Sequence, residues 1–345
     1  MVASTAGIID SKSPLYQFIS TNLLPCSLFL LLISVDIKAI MRLGKPALIM
    51  FFAGSFGVIL GAPLVFFVFK NLVGQDMWAG FACLSASWTG GSANFIAVKE
   101  ALNTPDHVLL PMIIVDTIVP YIWMGTLVAL VKFQPQYDAW NKSDRKILDE
   151  LNLKISKNSS LAKTSLHFGK AFFIIFLAVV GSMVSFFMAK MLPEVKNIIS
   201  TYAWTIIIVS MLAIVLSLTP ARHVERYGST KIGYFFLYFV LTSIGARANL
   251  SSIHSALILI LAGILLVLFH FCILILTSRM IKAPFFLIAV ASQANIGGVA
   301  SAPVVAEIYQ SGLASVGLLL AILGNIVGTY FGILAGQLCR WIAGS

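Results

Sequence analysis

Two segments of small polar residues, each around a Gly-Gly pair, interrupt an otherwise strongly apolar chain. They read SASWTGGSANF over residues 85–95 and SQANIGGVASAP over residues 292–303. In lipid, an unpaired backbone N–H or C=O costs several kcal/mol, so irregular backbone survives there only where it lines a cavity or lies inside protein. Glycine weakens a helix by about 1 kcal/mol relative to alanine and permits turns that other residues do not adopt. The pattern therefore predicts two broken membrane segments.

A break of this kind can hold an ion or a small solute. Free carbonyls coordinate cations, half-helix N-termini present partial positive charge, and hydroxyl and amide side chains add oxygen ligands. Close helix packing is the alternative explanation for either Gly-Gly pair, and two copies at matching positions favour the binding site. The residues predicted to form it are Ser85, Ser87, Thr89, Gly90, Gly91, Ser92, Asn94, Ser292, Gln293, Asn295, Gly297, Gly298 and Ser301.

One aspartate lies well inside the apolar run that follows the first segment. Asp116 occurs in MIIVDTIVPYIW, and a carboxylate at this depth is a functional hypothesis by default. We interpret it as the coupling residue, either a Na⁺ ligand or a proton carrier, together with Thr117 and with Asn325, which occupies the matching position in the second half. A buried hydrogen-bonding residue without a functional role is the alternative.

Other polar or aromatic residues in the apolar runs have weaker patterns. Glu100 and Glu307 end the two Gly-Gly segments and are hypothesised gates, with an interfacial position as the alternative. For His270, an interhelical hydrogen bond is favoured over a proton relay. For Trp88 and Trp123, a packing role is favoured over a role in lining a substrate pocket.

The composition places all of these residues in an all-α polytopic membrane protein. Only 10% of the 345 residues are charged and 59% are hydrophobic, whereas a soluble domain has about 25% charged residues. Continuous apolar runs exclude a β-barrel, whose strands alternate. We predict about eight spanning helices plus the two Gly-Gly segments, at 15–37, 46–70, 78–102, 107–133, 166–191, 200–219, 229–248, 252–277, 284–308 and 312–342.

The two halves of the chain match each other in order. PALIMFFAG at 46–54 resembles SALILILAG at 255–263, the Gly-Gly pairs align, and DTIVPY at 116–121 falls opposite NIVGTY at 325–330. Internal repeats of this kind are common in transporters. We therefore predict an incomplete first repeat at 15–133, a basic linker at 134–165 and a second repeat at 166–342. The spans at 166–191 and 200–219 have no partner before residue 15, so the first repeat lacks two N-terminal helices. Either that repeat has lost them or the chain is shortened at its N-terminus.

The basic loops indicate the orientation. If the Gly-Gly segments are re-entrant, the two repeats are inverted, and the short loops with Lys38, Arg42 and Lys45 lie on the same side as linker 134–165. If the segments cross the membrane, the repeats are parallel and that first cluster lies outside. Short loops follow the positive-inside rule best, which favours inverted repeats and a cytoplasmic linker in a multi-pass protein of the plasma or inner membrane.

These features predict a cation-coupled secondary transporter, driven by Na⁺ or H⁺, for a small organic anion or amino acid. Na⁺/H⁺ antiport is the alternative, followed by a channel or a non-transporting scaffold. No HExxH, phosphate-loop or two-aspartate pattern occurs, so we expect no enzyme activity and no cofactor beyond Na⁺. The net charge of +10 is assigned to cytoplasmic loops rather than to nucleic-acid binding. The four cysteines lack metal-ligand spacing, and a homodimer is left open.

The segments TGGSANF and SQANIGG, with VDTIVPY after the first, resemble an uncharacterised integral-membrane family, number 819 among the domains of unknown function (YjcL-like). The resemblance covers residues 20–342, and members of that family begin with further apolar helices. More distantly, paired Gly-Gly re-entrant segments look like those of the bacterial sodium–glutamate and sodium–citrate symporters. That resemblance implies inverted repeats, a scaffold part and a moving transport part, and the family implies no particular substrate.

Overall fold

The protein is all-helical wherever the structure, a computed structural model, describes it, which is over residues 13–144, 147, 168–194, 200–247 and 256–344. Three 3-10 turns lie at Gln75–Met77, Val131–Phe133 and Pro220–Tyr227. The α-helices are α1 (Pro14–Ile33), α2 (Ile37–Met41), α3 (Lys45–Val73), α4 (Trp78–Gly90), α5 (Ser92–Ala101), α6 (Asp106–Leu130), α7 (Gln134–Asn141), α8 (Phe168–Lys190), α9 (Thr201–Ser217), α10 (Ser229–Arg247), α11 (Ala256–Ile281), α12 (Phe285–Ile296), α13 (Gly298–Tyr309) and α14 (Ala314–Ala343).

Six helical stretches in the described part are long and apolar enough to cross a membrane. A helix needs about 20 apolar residues for this. A seventh is counted if α9 and the 3-10 turn after it, which meet at 97°, form one span. This confirms an all-α polytopic membrane protein. The six stretches are Pro14–Ile33, Lys45–Val73, Asp106–Asn141, Lys170–Lys190, Leu257–Ile281 and Ala314–Ala343.

One predicted helix extends well beyond its predicted boundary in the structure. The helix predicted over 107–133 continues through a 3-10 turn into α7, which extends eight residues into the predicted linker. Pro135 permits this because it lies in the first turn of α7, where a backbone N–H has no helical partner. Within the linker, the segment SDRKILDELNLKI at 143–155 has a pattern that suits a short amphipathic surface helix, and it lies mostly outside the described residues. Segment 229–248 corresponds to α10, which has 19 residues.

The helices group into two compact units that interleave along the chain. The first comprises Met1–Ile37, Ile96–Pro111 and Ala162–Ser255, and the second comprises Lys38–Phe95, Met112–Leu161 and Ala256–Ser345. These units do not test the predicted division of the chain into two sequence repeats, which stays a prediction.

In the first unit, α1 packs against α8, α9 and α10. Its contacts use small residues, as is common between membrane helices. A Cβ on Gly181 of α8 would lie 2.5 Å from the Phe29 ring of α1. The Ser27 hydroxyl of α1 donates a 2.8 Å hydrogen bond to the Gly233 carbonyl of α10.

In the second unit, α14 packs against α3, α4, α12 and α13. Helix α12 is buried along its whole length, and α4 is buried from Ala79 to Gly90. An apolar helix without a polar face belongs in such an environment. Other helices therefore surround both short helices that lead to the Gly-Gly pairs.

The start of α12 is anchored by α7. The Phe285 N–H donates a 2.8 Å hydrogen bond to Asp138 Oδ1, so a side chain of α7 caps the N-terminus of α12. Asn141 Nδ2 donates to the Ala283 carbonyl at 2.9 Å. These two bonds fix the position at which α12, the helix before the second Gly-Gly pair, begins.

Candidate ion and solute site

The first Gly-Gly pair separates α4 from α5. Gly91 has a φ of +79°, a left-handed conformation that favours glycine, and α5 begins at the next residue. The Gly91 N–H donates to the Ser87 carbonyl at 2.6 Å, which closes the last turn of α4. The Asn94 amide donates to the Gly90 carbonyl at 2.6 Å and so satisfies one carbonyl freed by the break.

The second Gly-Gly pair separates α12 from α13. Gly298 has a φ of +65° and is the first residue of α13. Gly297 permits a close approach, because a Cβ there would collide with Gln293 Nε2 and Ser301 Oγ. These two atoms are joined by a 2.8 Å hydrogen bond across the break. Both Gly-Gly pairs therefore lie at helix boundaries, as predicted.

Gly90 has a different role from Gly91. A Cβ on Gly90 would lie 2.5 Å from the Gly324 carbonyl oxygen and 2.7 Å from Gly328 Cα, both on α14. A Cβ on Gly328 would in turn lie 2.6 Å from Gly90 Cα. Gly90 is thus a packing glycine, so close packing explains one residue of the first pair and the helix break explains the other.

The two breaks and Asp116 share one cavity of about 270 Å³, entirely within the second unit. It is lined by five hydroxyl residues, one carboxylate, one amide, two glycines and three apolar residues. These are Ser87, Ser92, Thr117, Tyr121, Ser301, Asp116, Gln293, Gly91, Gly297, Pro120, Ile296 and Ala300.

Asp116 is the one carboxylate that lines the cavity, and it is partly buried. The Ser87 hydroxyl and the Trp88 indole N–H face it. Trp88 is fully buried, yet its Nε1 makes no hydrogen bond of standard geometry with any described residue. A hydroxyl and an indole N–H therefore lie beside the carboxylate.

Gln293 has a buried side-chain oxygen without a hydrogen-bond partner among the described residues. Its side chain is buried, and Nε2 donates to Ser301 Oγ, which orients the amide. Oε1 then has no hydrogen-bond donor among the described residues. Leaving a buried acceptor unpaired costs about 1–3 kcal/mol, so this oxygen is suited to a bound ion or to a solute that donates a hydrogen bond.

One face of each broken helix lines the cavity and the other joins the protein interior. In α4, Ser87 and Gly91 share the cavity face, whereas Ser85 and Thr89 lie on the opposite face, because residues two apart point to different sides of a helix. The Ser85 hydroxyl donates to the Phe81 carbonyl and the Thr89 hydroxyl to the Ser85 carbonyl, each at 2.7 Å. These two predicted ligands are satisfied within their own helix.

In α12, Gln293 and Gly297 face the cavity, whereas Ser292 and Asn295 face other helices. Asn295 accepts a 2.7 Å hydrogen bond from Ser55 of α3 and donates to the Phe51 carbonyl at 3.2 Å. The structure therefore assigns these two predicted ligands to interhelical bonds.

Ser292 belongs to a directed chain of hydrogen bonds around His270. Trp123 Nε1–H donates to Ser292 Oγ at 2.8 Å, and Ser292 Oγ lies 3.0 Å from His270 Nε2. His270 Nδ1 lies 2.8 Å from the Gly54 carbonyl, which can only accept. Nδ1 therefore carries the proton, and Nε2 accepts from the Ser292 hydroxyl. His270 makes interhelical hydrogen bonds on both ring nitrogens, as the sequence analysis favoured.

Asn94 and Asn325 do not line the cavity. Asn94 Oδ1 accepts a short hydrogen bond from Thr329 of α14, and its Nδ2 also lies 3.3 Å from the Asn325 carbonyl. Asn325 Oδ1 would lie 3.5 Å from a Cβ on Gly91. These residues join the first break to α14, and Asn325 is not beside Asp116 in the cavity lining.

The two hypothesised gates have other partners. Glu100 pairs with Lys99 at 2.8 Å, and this lysine is itself buried. Glu307 accepts from the Gly312 N–H and from the Ser311 hydroxyl at 3.0–3.1 Å, so it caps the turn after α13. Neither glutamate lines the cavity.

Sequence reasoning missed Tyr121, Ile296 and Ala300 as lining residues. Helical spacing could have found Tyr121, which lies with Pro120 one turn after Asp116 and Thr117. Within the described residues no cluster of three His, Cys, Asp or Glu side chains exists. An ion in this cavity would therefore meet oxygen ligands, which suit hard cations.

The helices and the cavity define a polytopic membrane protein with a polar site between two broken helices. The chain belongs to the family described as Protein of unknown function (DUF819), whose profile matches residues 1–342. It is 25% identical over 351 aligned residues to the uncharacterized membrane protein YjcL of Bacillus subtilis (strain 168), with 96% of this chain and 86% of that protein covered. No solved structure matches the chain at a significant level.

Proposed function

We propose that this protein is a cation-coupled secondary transporter of a small organic solute that works by alternating access. The observation that carries the proposal is the shared cavity, in which a lone carboxylate meets both Gly-Gly breaks. In transporters, discontinuous helices place carbonyl ends and N-termini around a site near the middle of the bilayer. The same elements, α4 with α5 and α12 with α13, surround this cavity.

The proposal assigns the coupling role to Asp116. A carboxylate within a spanning helix is expensive and marks an ion or proton pathway by default. The Ser87 hydroxyl beside it can ligate Na⁺ or accept from a protonated carboxyl, and the Trp88 N–H can donate to the carboxyl in either state. Of the other two predicted coupling residues, Thr117 lines the cavity and Asn325 does not.

The proposed membrane arrangement has about eight spans plus two re-entrant Gly-Gly segments in inverted repeats. The linker 134–165 is proposed to be cytoplasmic in the plasma or inner membrane, because its basic residues follow the positive-inside rule. We further propose that the protein needs no cofactor beyond Na⁺ and catalyses no reaction. Cysteine labelling from each side of sealed vesicles tests the orientation.

The experiment is thermal unfolding of the purified protein in lipid nanodiscs, with NaCl replacing KCl at constant ionic strength. At ten times the half-saturating Na⁺ concentration, binding to the folded state adds about 1.4 kcal/mol, which raises Tm by about 2 °C for a chain of this length. Asp116→Asn is expected to abolish this rise. Asp76→Asn, a carboxylate in the turn before α4 and outside the cavity, is the control that keeps it.

Transport in proteoliposomes distinguishes the remaining classes. Na⁺ uptake that depends on an opposing pH gradient, without any added solute, identifies Na⁺/H⁺ antiport. Conduction at a fixed voltage without coupling identifies a channel. A rise in Tm that is equal in wild type and Asp116→Asn removes Asp116 from the coupling site.

A further inference from the structure

Among the described residues that line the cavity, there is one acidic side chain and no basic one. The acidic residue is Asp116, and none of the others is a lysine, arginine or histidine. When neither Na⁺ nor a proton occupies Asp116, a solute that is only an anion would enter beside a like charge, which is unfavourable. A cationic head group would instead find an opposite charge, together with the hydroxyl of Ser87 as a further polar partner.

The cavity also needs a hydrogen-bond donor. Gln293 Oε1 is buried and unpaired, and its orientation is fixed by the bond from Nε2 to Ser301 Oγ. A protonated primary amine has three N–H donors and no acceptor. Its donors match the two acceptors of the lining, the Asp116 carboxylate and the Gln293 oxygen.

The size of the cavity argues for a solute rather than a bare ion. Its volume of about 270 Å³ equals about nine water molecules at about 30 Å³ each. Pro120, Ile296 and Ala300 add apolar surface to the lining. A short apolar body with one charged end fits this combination.

We propose that the transported solute carries a protonated amine, held between Asp116 and Gln293 Oε1. This inference rests on the proposed function and names the chemistry of its substrate. The ammonium group can belong to an amine or to a zwitterionic amino acid. In the second case the N-terminus of α5, which begins at Ser92 in the cavity wall, takes the carboxylate through the N–H groups of Ser92 and Ala93. The next two N–H groups, of Asn94 and Phe95, already donate to the Gly91 carbonyl.

The test compares matched probes by their effect on the thermal unfolding of the whole protein in nanodiscs. The amino acids are alanine, valine and leucine, the amines are ethylamine, isobutylamine and isoamylamine, and the acids are propionate, isovalerate and isocaproate. Each is measured with and without Na⁺. We expect at least one amino acid or amine to raise Tm by about 2 °C or more at ten times its half-saturating concentration, and no acid to do so. If only the amino acids raise Tm, the solute is a zwitterion. If the amines raise Tm as much as the amino acids, the protein recognises only the ammonium group.

Gln293→Met removes the unpaired oxygen with little change in volume. It is expected to weaken binding of the stabilising probe at least about tenfold, because a hydrogen bond to a charged group is lost. Ser301→Ala keeps Oε1 and is expected to have a smaller effect. Gln17→Met, at an exposed glutamine of α1, is the control.

Three results overturn the inference. They are stabilisation by acids alone, stabilisation by no probe, and equal affinity of the stabilising probe for wild type and Gln293→Met. If Na⁺ still stabilises the wild type and not Asp116→Asn, the proposed function stands while the substrate class fails. If an amine stabilises and Na⁺ does not, the substrate class stands while Na⁺ coupling fails.

Discussion

Gly90→Ala tests the closest contact at the first break. Gly90 ends α4, and the structure places it directly against the backbone of Gly324 and Gly328 in α14. A new Cβ would lie 2.5 Å from the Gly324 oxygen, whereas ordinary van der Waals contact begins at 3.4 Å. The two helices would have to separate by about 1 Å, since both neighbours are backbone and cannot rotate away.

The magnitude follows from three contributions. Overpacking of a well-packed interior costs about 1–3 kcal/mol. The same Cβ would collide with Asn94 Nδ2, so the bonds of Asn94 to the Gly90 carbonyl and to Thr329 are displaced, at about 1 kcal/mol each. Alanine recovers at most about 1 kcal/mol of helix propensity. The net loss is about 2–4 kcal/mol, or a fall in Tm of at least about 3 °C.

The assay is thermal unfolding in nanodiscs, with Gly125→Ala as the matched control. Gly125 is a helical glycine of α6, and a Cβ there would have no atom within 4 Å. This control is expected to leave Tm unchanged or slightly raised. If Gly90→Ala unfolds within about 1 °C of Gly125→Ala, the reasoning about the close approach of α4 and α14 is refuted.

Two further predictions concern polar contacts. Ser292→Ala leaves the Trp123 indole N–H and one His270 ring nitrogen unpaired in the interior, at a cost of about 1–3 kcal/mol each. The control is Ser210→Ala, because the Ser210 hydroxyl donates to a carbonyl of its own helix. We expect the Tm of Ser292→Ala to be well below that of the control, and equal Tm values would contradict the hydrogen-bond chain. The hydroxyl and the N–H of Thr201 donate to Glu194 and hold the pKa of its carboxyl below the usual range. This interaction stabilises the folded state above the unfolded pKa of about 4.3, and the stabilisation is lost as pH falls through the lower folded pKa. Glu194→Gln removes the same stabilisation. The difference in Tm between wild type and Glu194→Gln should therefore be constant from about pH 5 to 8 and vanish on acidification; a difference that grows toward low pH contradicts it.

The sequence was sufficient for the fold class and for the places where helices break. Apolar length alone identifies most of the spans, because the hydrocarbon core requires it. Gly91 and Gly298 could be found for a local reason, since each adopts a positive φ that favours glycine. Asp116 could be found because a carboxylate within an apolar run is costly wherever the helix lies.

The identity of the cavity-lining residues could not be predicted in this way. Ser85, Ser87 and Thr89 have similar chemistry in one helix, and every hydroxyl on a helix can donate to the carbonyl one turn back. Only packing decides that Ser87 faces Asp116 while the other two are satisfied within α4. The inclusion of all three among the predicted ligands was therefore too broad.

The same reason applies to α12. Ser292 finds its partner Trp123 169 residues earlier in the chain, whereas its neighbour Gln293 keeps an unpaired oxygen. By itself, the sequence determined the class of protein, the two helix breaks and the buried acid, because these depend on local conformation and on transfer to lipid. The tertiary structure alone decided which polar groups are used up in holding helices together and which remain for a ligand, because that depends on contacts between residues distant in the chain.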